Sequence, residues 1–203
     1  MNLHQHRALQ FPKGFLWGAA TSAYQLEGGN TGSDWAALKD ARIEDAGRAC
    51  DHYRCFREDF DIAQGLHHNA HRLSIEWSRV EPKEGEWNEK EFAHYSDVID
   101  ALIERGMTPF LTLYHFTLPQ WLADIGGWQN RKASFYFVRY VELVVHKFGE
   151  RVHFWITINE PLVYIAEGYL RGEWPPFVKS LRKAITVFRN LARAHRSAYR
   201  FFH

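Results

Sequence analysis

Cysteine is scarce in this 203-residue chain: only Cys50 and Cys55 occur. Two cysteines cannot build a disulfide framework, and "CDHYRC" lacks metal-ligand spacing. Both read as reduced structural thiols. A surplus of one charge is missing too, since the formal net charge is +1. Nothing in that balance favours nucleic acid or an anionic membrane as a partner. No apolar run approaches the length of a membrane span. The opening "MNLHQHRALQFPKG" has no apolar core of the kind a signal peptide needs, so a cytoplasmic location is the default. Low-complexity segments, linkers and short repeats are also lacking. The histidines in "HHNAH" and at His52 form no H-x-x-x-H pair on an expected helix, so no metal is expected.

What the chain has in excess is aromatic rings: 16% of residues, eight of them Trp. Such rings fill a large core or line a cleft for flat apolar faces such as those of sugars. The length suits one well-buried domain.

Hydrophobic periodicity gives a rhythm of strand and helix, four times over. The expected strands are 15–21, 70–77, 108–116 and 152–159. The helix after the first strand covers 55–66, with Phe56, Phe60, Ile62 and Ala63 at helical spacing. The next, 89–106, places Phe92, Tyr95, Val98, Ile99 and Leu102 on one face and ends at Gly106. Two more follow, over 133–149 and from about Ser180 onward. Alternation of this kind implies parallel strands with right-handed crossovers. A doubly wound open sheet and a (β/α)8 barrel both satisfy it. "GGNTG" (28–32) is not the glycine pattern a nucleotide-binding open sheet carries after its first strand. Polar residues gather instead at carboxyl ends of strands, where barrel sites are built. The barrel is therefore favoured, with four of its eight units, (βα)1–4, in this α/β chain.

The candidate residues sit at those strand ends. In "WITINEP" the apolar run of strand 4 stops at Asn159 and Glu160. Glu160 reads either as a general acid in a half-buried site or as a capping carboxylate. Asn159 either holds a ligand hydroxyl or closes a turn. Arg72, Ser74 and Glu76 alternate with Leu73, Ile75 and Trp77, so the polar set faces inward. A buried Arg72 needs an anionic partner: a local acid such as Glu76, or a catalytic carboxylate. His115, with Trp121 nearby, is either a satisfied core residue or a group that orients a sugar hydroxyl. Gln25 and Glu27 lie beyond strand 1.

Four stretches together resemble the family 1 glycoside hydrolases, the β-glucosidase family: "FPKGFLWGAATSAYQLEG", "ACDHYRCFREDFDIAQGLHHNAHRLSIEWSRVEP", "TPFLTLYHFTLPQWL" with "GGW" after it, and "WITINEP". The resemblance runs from Phe11 to the last residue. It implies a (β/α)8 barrel and retaining hydrolysis of β-D-glycosides, with no cofactor. It also implies roles. Glu160 is the acid/base, and Arg72 supports the nucleophilic carboxylate. Gln25, His115 and Asn159 bind hydroxyls of the non-reducing sugar, and Trp121 is placed with these substrate-binding residues. Phe116 departs from the Trp that often follows the strand-3 His, and "SDWAALKD" keeps only Trp35 of a more aromatic motif.

The family's nucleophile, a Glu in a "TENG"-like motif near strand 7, has no counterpart here. Glu76 and Glu27 are poor substitutes. The chain therefore reads as residues 1–203 of an N-terminal half-barrel. It supplies the acid/base and part of the sugar site, and needs a complementary C-terminal half-barrel or self-association to cover its open side. The rival reading is a degenerate or truncated sugar-binding half-barrel without catalysis. On the inner face the expected residues are Phe110 and Thr112 from strand 3, with Trp155 and Thr157 from strand 4.

Overall fold

The structure, a computed structural model, describes residues 10–38, 40 and 42–202. One parallel sheet runs through it, in the order β1-β2-β3-β4. The strands are Gly18–Ala20, Ala70–Ser74, Thr108–Tyr114 and Phe154–Ile158. Strand order equals chain order, and each strand pairs in parallel with the next. The sheet is the (βα)1–4 portion of a (β/α)8-type barrel, with each crossover helix packed on the outer face. Gly18 is required where β1 starts, because a Cβ there would lie 2.1 Å from the Ala70 carbonyl oxygen.

Eight α-helical segments accompany the strands among the described residues: α1 (Ala23–Leu26), α2 (His52–Gly65), α3 (Trp77–Val80), α4 (Glu89–Glu104), α5 (Gln120–Asp124), α6 (Ala133–Phe148), α7 (Pro161–Ile165) and α8 (Leu181–Tyr199). Local chemistry fixes their ends. Asn88 caps α4 by accepting from the Lys90 N–H, and Glu89 and Glu91 lie at its positive end. Gly106, at φ 72°, lets the chain turn away after it. Ser180 caps α8 through the Lys183 N–H.

The core lies between sheet and helices. Leu73 and Leu111 meet Val98, Leu102, Phe137, Val141 and Val144, all buried. Trp77 stacks on Tyr140 at 4.8 Å, with an interplanar angle of 12°. Truncating a side chain as buried as Phe137 to Ala costs about 3–5 kcal/mol. Ile62, grouped with Phe56 and Phe60 by spacing, is exposed instead.

Two expectations about sheet faces need correction. Register places Arg72, Phe110 and Phe154 side by side, and likewise Ser74, Thr112 and Ile156. Phe110 and Thr112 thus share the Arg72 face, and Phe110 stacks on Phe154 at 4.3 Å. Trp155 and Thr157 point the other way, toward the helix layer. Trp155 packs on Phe202, and the Thr157 hydroxyl meets His195 Nδ1 at 2.6 Å. β4 ends at Ile158, so Asn159, whose side chain does reach Arg72, lies outside the strand's alternation. Counting back from Asn159 in steps of two therefore selects the wrong face. Similarly, β2 ends at Ser74, so Glu76 does not continue its inner face. It caps α3 through the Ser78 N–H and is buried.

Candidate active site at the strand ends

Three strand ends converge on Arg72. Its Nε donates to Thr112 Oγ1 on β3 at 2.8 Å, and its Nη2 donates to Asn159 Oδ1 beyond β4 at 2.6 Å. Asn159 is buried and anchored by its own N–H to the Tyr114 carbonyl at 2.9 Å. Glu76, offered by the sequence as a local partner, instead binds Ser78 and Thr117. No carboxylate among the described residues is within ion-pair distance of Arg72. Burial lowers its pKa, and the charge of Glu160 pushes it back up. Only part of its five-donor fork is used, so a further anion can be bound.

Glu160 stands directly after Asn159 in a left-handed conformation, before Pro161 opens α7. That backbone turn carries its side chain past the strand end. Glu160 is exposed, not half-buried as the sequence suggests. Four strands leave the inner face open on this side, where a closed barrel would supply the remaining wall.

A cleft of about 120 Å³ lies beside this group, lined by Tyr24, Gln25, Trp35, His115, Phe116 and Trp174, among others. Gln25 reaches it from α1, and Ser22 Oγ donates to its side-chain oxygen. Phe116 takes φ 76°, which turns the chain sharply after His115. Burial, aided by the Arg72 charge, lowers the His115 pKa to about 4. His115 is then neutral near pH 7, able to donate from one ring nitrogen and accept at the other. Tyr24 Oη, Trp35 Nε1 and His115 Nδ1 are buried polar atoms with no hydrogen-bond partner among the described residues. Polar groups of this kind around aromatic walls suit a ligand rich in hydroxyls.

Trp121 does not line this cleft. Its Nε1 donates to the Glu81 carbonyl at 3.0 Å, and its ring packs between Trp77 and Tyr136. Trp174, which the sequence reading did not single out, is there instead. It lies 5.5 Å from Trp35 and 5.0 Å from Phe116, edge-on to both. Its signal was faint: one Trp in an irregular loop, in "GEWPPF".

A buried network backs the cleft. Glu27 accepts from Arg79 Nε at 2.8 Å and from Tyr95 Oη at 2.9 Å. Tyr95 Oη in turn accepts from the Glu76 N–H at 3.0 Å. Glu76 accepts from Thr117, two residues after His115. Tyr95 thereby joins the Gln25 segment to the His115 segment. Burial pushes Glu27 up to about 7 despite Arg79. Both carboxylates are held by neighbours, which leaves them poorly placed as nucleophiles.

Four parallel βα units in chain order, with Arg72, Asn159 and Glu160 at their carboxyl ends, make half of a (β/α)8-type barrel. Residues 7–203 match Glycosyl hydrolase family 1, and the chain belongs to that family. Beta-glucosidase A of Thermotoga maritima is 40% identical over 204 residues, covering 95% of this chain and 46% of the relative. A solved beta-glycosidase from Pyrococcus horikoshii superposes with a TM-score of 0.92 at 41% identity, covering 96% of this chain and 46% of that one. The Thermotoga maritima beta-glucosidase in complex with castanospermine gives 0.92 at 39%, covering 95% and 46%. The chain thus spans about half the length of the relatives it matches.

Proposed function

We propose that this chain carries the acid/base half of a retaining β-D-glycoside hydrolase and works when a second half completes the barrel. Glu160 protonates the glycosidic oxygen as the bond to the leaving group breaks. A carboxylate of the other half attacks the anomeric carbon from the opposite face, giving a glycosyl ester. Water then attacks that carbon, Glu160 takes the proton, and the ester bond breaks. Retention places the two carboxyl groups about 5–5.5 Å apart. Arg72 is the support for the incoming carboxylate. Gln25, neutral His115 and Asn159 bind sugar hydroxyls, and no cofactor is needed.

The observation that carries this reading is the Arg72–Asn159 contact beside Glu160. It holds a half-used guanidinium where an acid from across the barrel would arrive.

Labelling tests it. The chain is incubated with a 2-fluoro β-glucoside bearing a good leaving group, alone and mixed with the carboxyl-terminal half of the Thermotoga maritima enzyme. Mass spectrometry should find label only in the mixture, and only on the added half. Label on Glu27 or Glu76 of the chain alone overturns the proposal.

A further inference from the structure

His52, the first residue of α2, is buried but uses only one of its ring nitrogens. Nδ1 lies 2.6 Å from Asp59 Oδ2, two turns further along the same helix. That carboxylate favours the tautomer with its proton on Nδ1, which leaves Nε2 as a bare acceptor. Nε2 is buried and has no hydrogen-bond partner among the described residues. An acceptor shut away from water in this state is costly.

His52 is part of the wall of a small cavity, about 10 Å³, between the carboxyl ends of β1 and β2 and the helices α2 and α4. With Nδ1 taken by Asp59, Nε2 is the polar atom that His52 brings to this space. Glu27 and Ser74 bring two more. Ser74 Oγ accepts from the Ala23 N–H at 2.8 Å, so its own proton remains to be donated. The Glu27 oxygens accept from Tyr95 and Arg79, and each can accept a second bond. Leu73 and Val98 close the apolar side.

Size and charge restrict the occupant. The volume is that of about one water. A cation would meet the Arg79 guanidinium, and an anion would meet the Glu27 carboxylate. No His, Cys, Asp or Glu group among the described residues converges as metal ligands. A neutral molecule that both donates and accepts meets neither charge penalty. Burial brings Glu27 to about 7, and water serves both of its states: it donates to the carboxylate and accepts from the acid.

We infer that this cavity is the binding site of a single water molecule, which donates to His52 Nε2 and Glu27 and accepts from Ser74 Oγ. Three bonds are the usual complement of a buried water. The water ties α2 to the network behind the cleft. It completes a hydrogen-bonded path from Asp59, whose side chain is 40% exposed, through His52 to Glu27 and on to Tyr95. The inference does not depend on the hydrolase reading, since every group in it belongs to α2, β2 and the segment after β1.

The test is a crystal structure of the full chain at a resolution that orders buried waters, with water–amide cross-relaxation on the 15N-labelled chain in solution. One density peak is expected at hydrogen-bond distance, about 2.7–3.2 Å, from His52 Nε2, Ser74 Oγ and a Glu27 oxygen. In solution the Ala23 N–H, beside the cavity, should show a cross-peak to a long-lived water. His52→Phe keeps a ring against Phe60 and removes Nε2, so peak and cross-peak should both be lost. Val98→Ile fills the space from the apolar side and should also expel the water. An empty cavity, or no cross-peak in the unaltered chain, overturns the inference. So does a ring turned to place Nε2 on Asp59, or a peak with contacts near 2.4 Å, which would be a metal cation. A cross-peak that survives His52→Phe would belong to the Ser74 hydroxyl, or to a water that does not need His52, and would overturn it as well.

Discussion

Arg72 and Asn159, 87 residues apart, are joined by a 2.6 Å hydrogen bond across the carboxyl ends of β2 and β4. Asn159 occupies one arm of a guanidinium and is itself held by the β3 backbone. Glu160 stands one residue on, in a left-handed conformation before α7. Asn159→Ala should cost about 1.5–3 kcal/mol, the worth of a hydrogen bond to a charged group, measured by urea denaturation. An unchanged midpoint would mean that the contact holds nothing in place.

Tyr95 makes a similar argument for the other side of the cleft. Its hydroxyl donates to Glu27 and accepts from the Glu76 N–H, and all three residues are buried. Tyr95→Phe keeps the ring and removes both bonds, so a loss of about 1–3 kcal/mol is expected. The side-chain amide of Gln25 and the ring protons of His115 should broaden together in NMR spectra. Broadening at neither would show that the network does not link the two segments.

Acid should weaken the fold through His71. It is buried against Phe60, with Nε2 at 3.2 Å from the Thr21 hydroxyl, and burial lowers its pKa to about 4. The unfolded value is about 6.5. Above about 6.5 both states are neutral and its contribution is intact. As pH falls from there toward 4 the unfolded chain takes up the proton first, so stability drops, by on the order of 3 kcal/mol in full. Glu27, raised to about 7, acts with the opposite sign: its stabilisation is lost as pH rises through that value. His71→Asn should flatten the acid limb of a stability–pH curve between about 6.5 and 4. A curve parallel to that of the unaltered chain would contradict the assignment.

The open side predicts association. Phe154 on the inner face and Leu181 and Phe188 on α8 are exposed, next to the free edge of β4. An apolar surface of this kind should bind a hydrophobic dye and give concentration-dependent sedimentation. A monomer that persists on dilution, unfolds cooperatively and binds no dye would show that the half-barrel has closed on itself.

Much of this was legible in the sequence, because it rests on local patterns. Apolar runs and helical stripes located the four strands and their helices to within a few residues. Polar residues at strand ends pointed to Arg72, His115, Asn159 and Glu160. What escaped depends on where local geometry stops. β4 ends at Ile158, so Asn159 does not share a face with Trp155 and Thr157 although it stands two residues beyond Thr157. The end of β2 at Ser74 turns Glu76 from an inner-face residue into a helix cap. Trp121 turns away from the cleft, and Trp174, which no pattern singled out, lines it, since proximity to a strand end in sequence does not say which way an indole turns. The exposure of Glu160 depends on a missing wall, which no local pattern reports.

The most direct test of the account is the effect of Glu160→Gln on two substrates, assayed with the chain mixed with the carboxyl-terminal half of the Thermotoga maritima enzyme. A β-glucoside with a poor leaving group needs the acid, and its glycosylation step should slow by about 10²–10⁴-fold. A 2,4-dinitrophenyl β-glucoside needs no protonation, so its glycosylation step should change little. That split is the predicted result. Equal loss for both substrates, or no loss for either, would contradict the role given to Glu160 and with it the central claim.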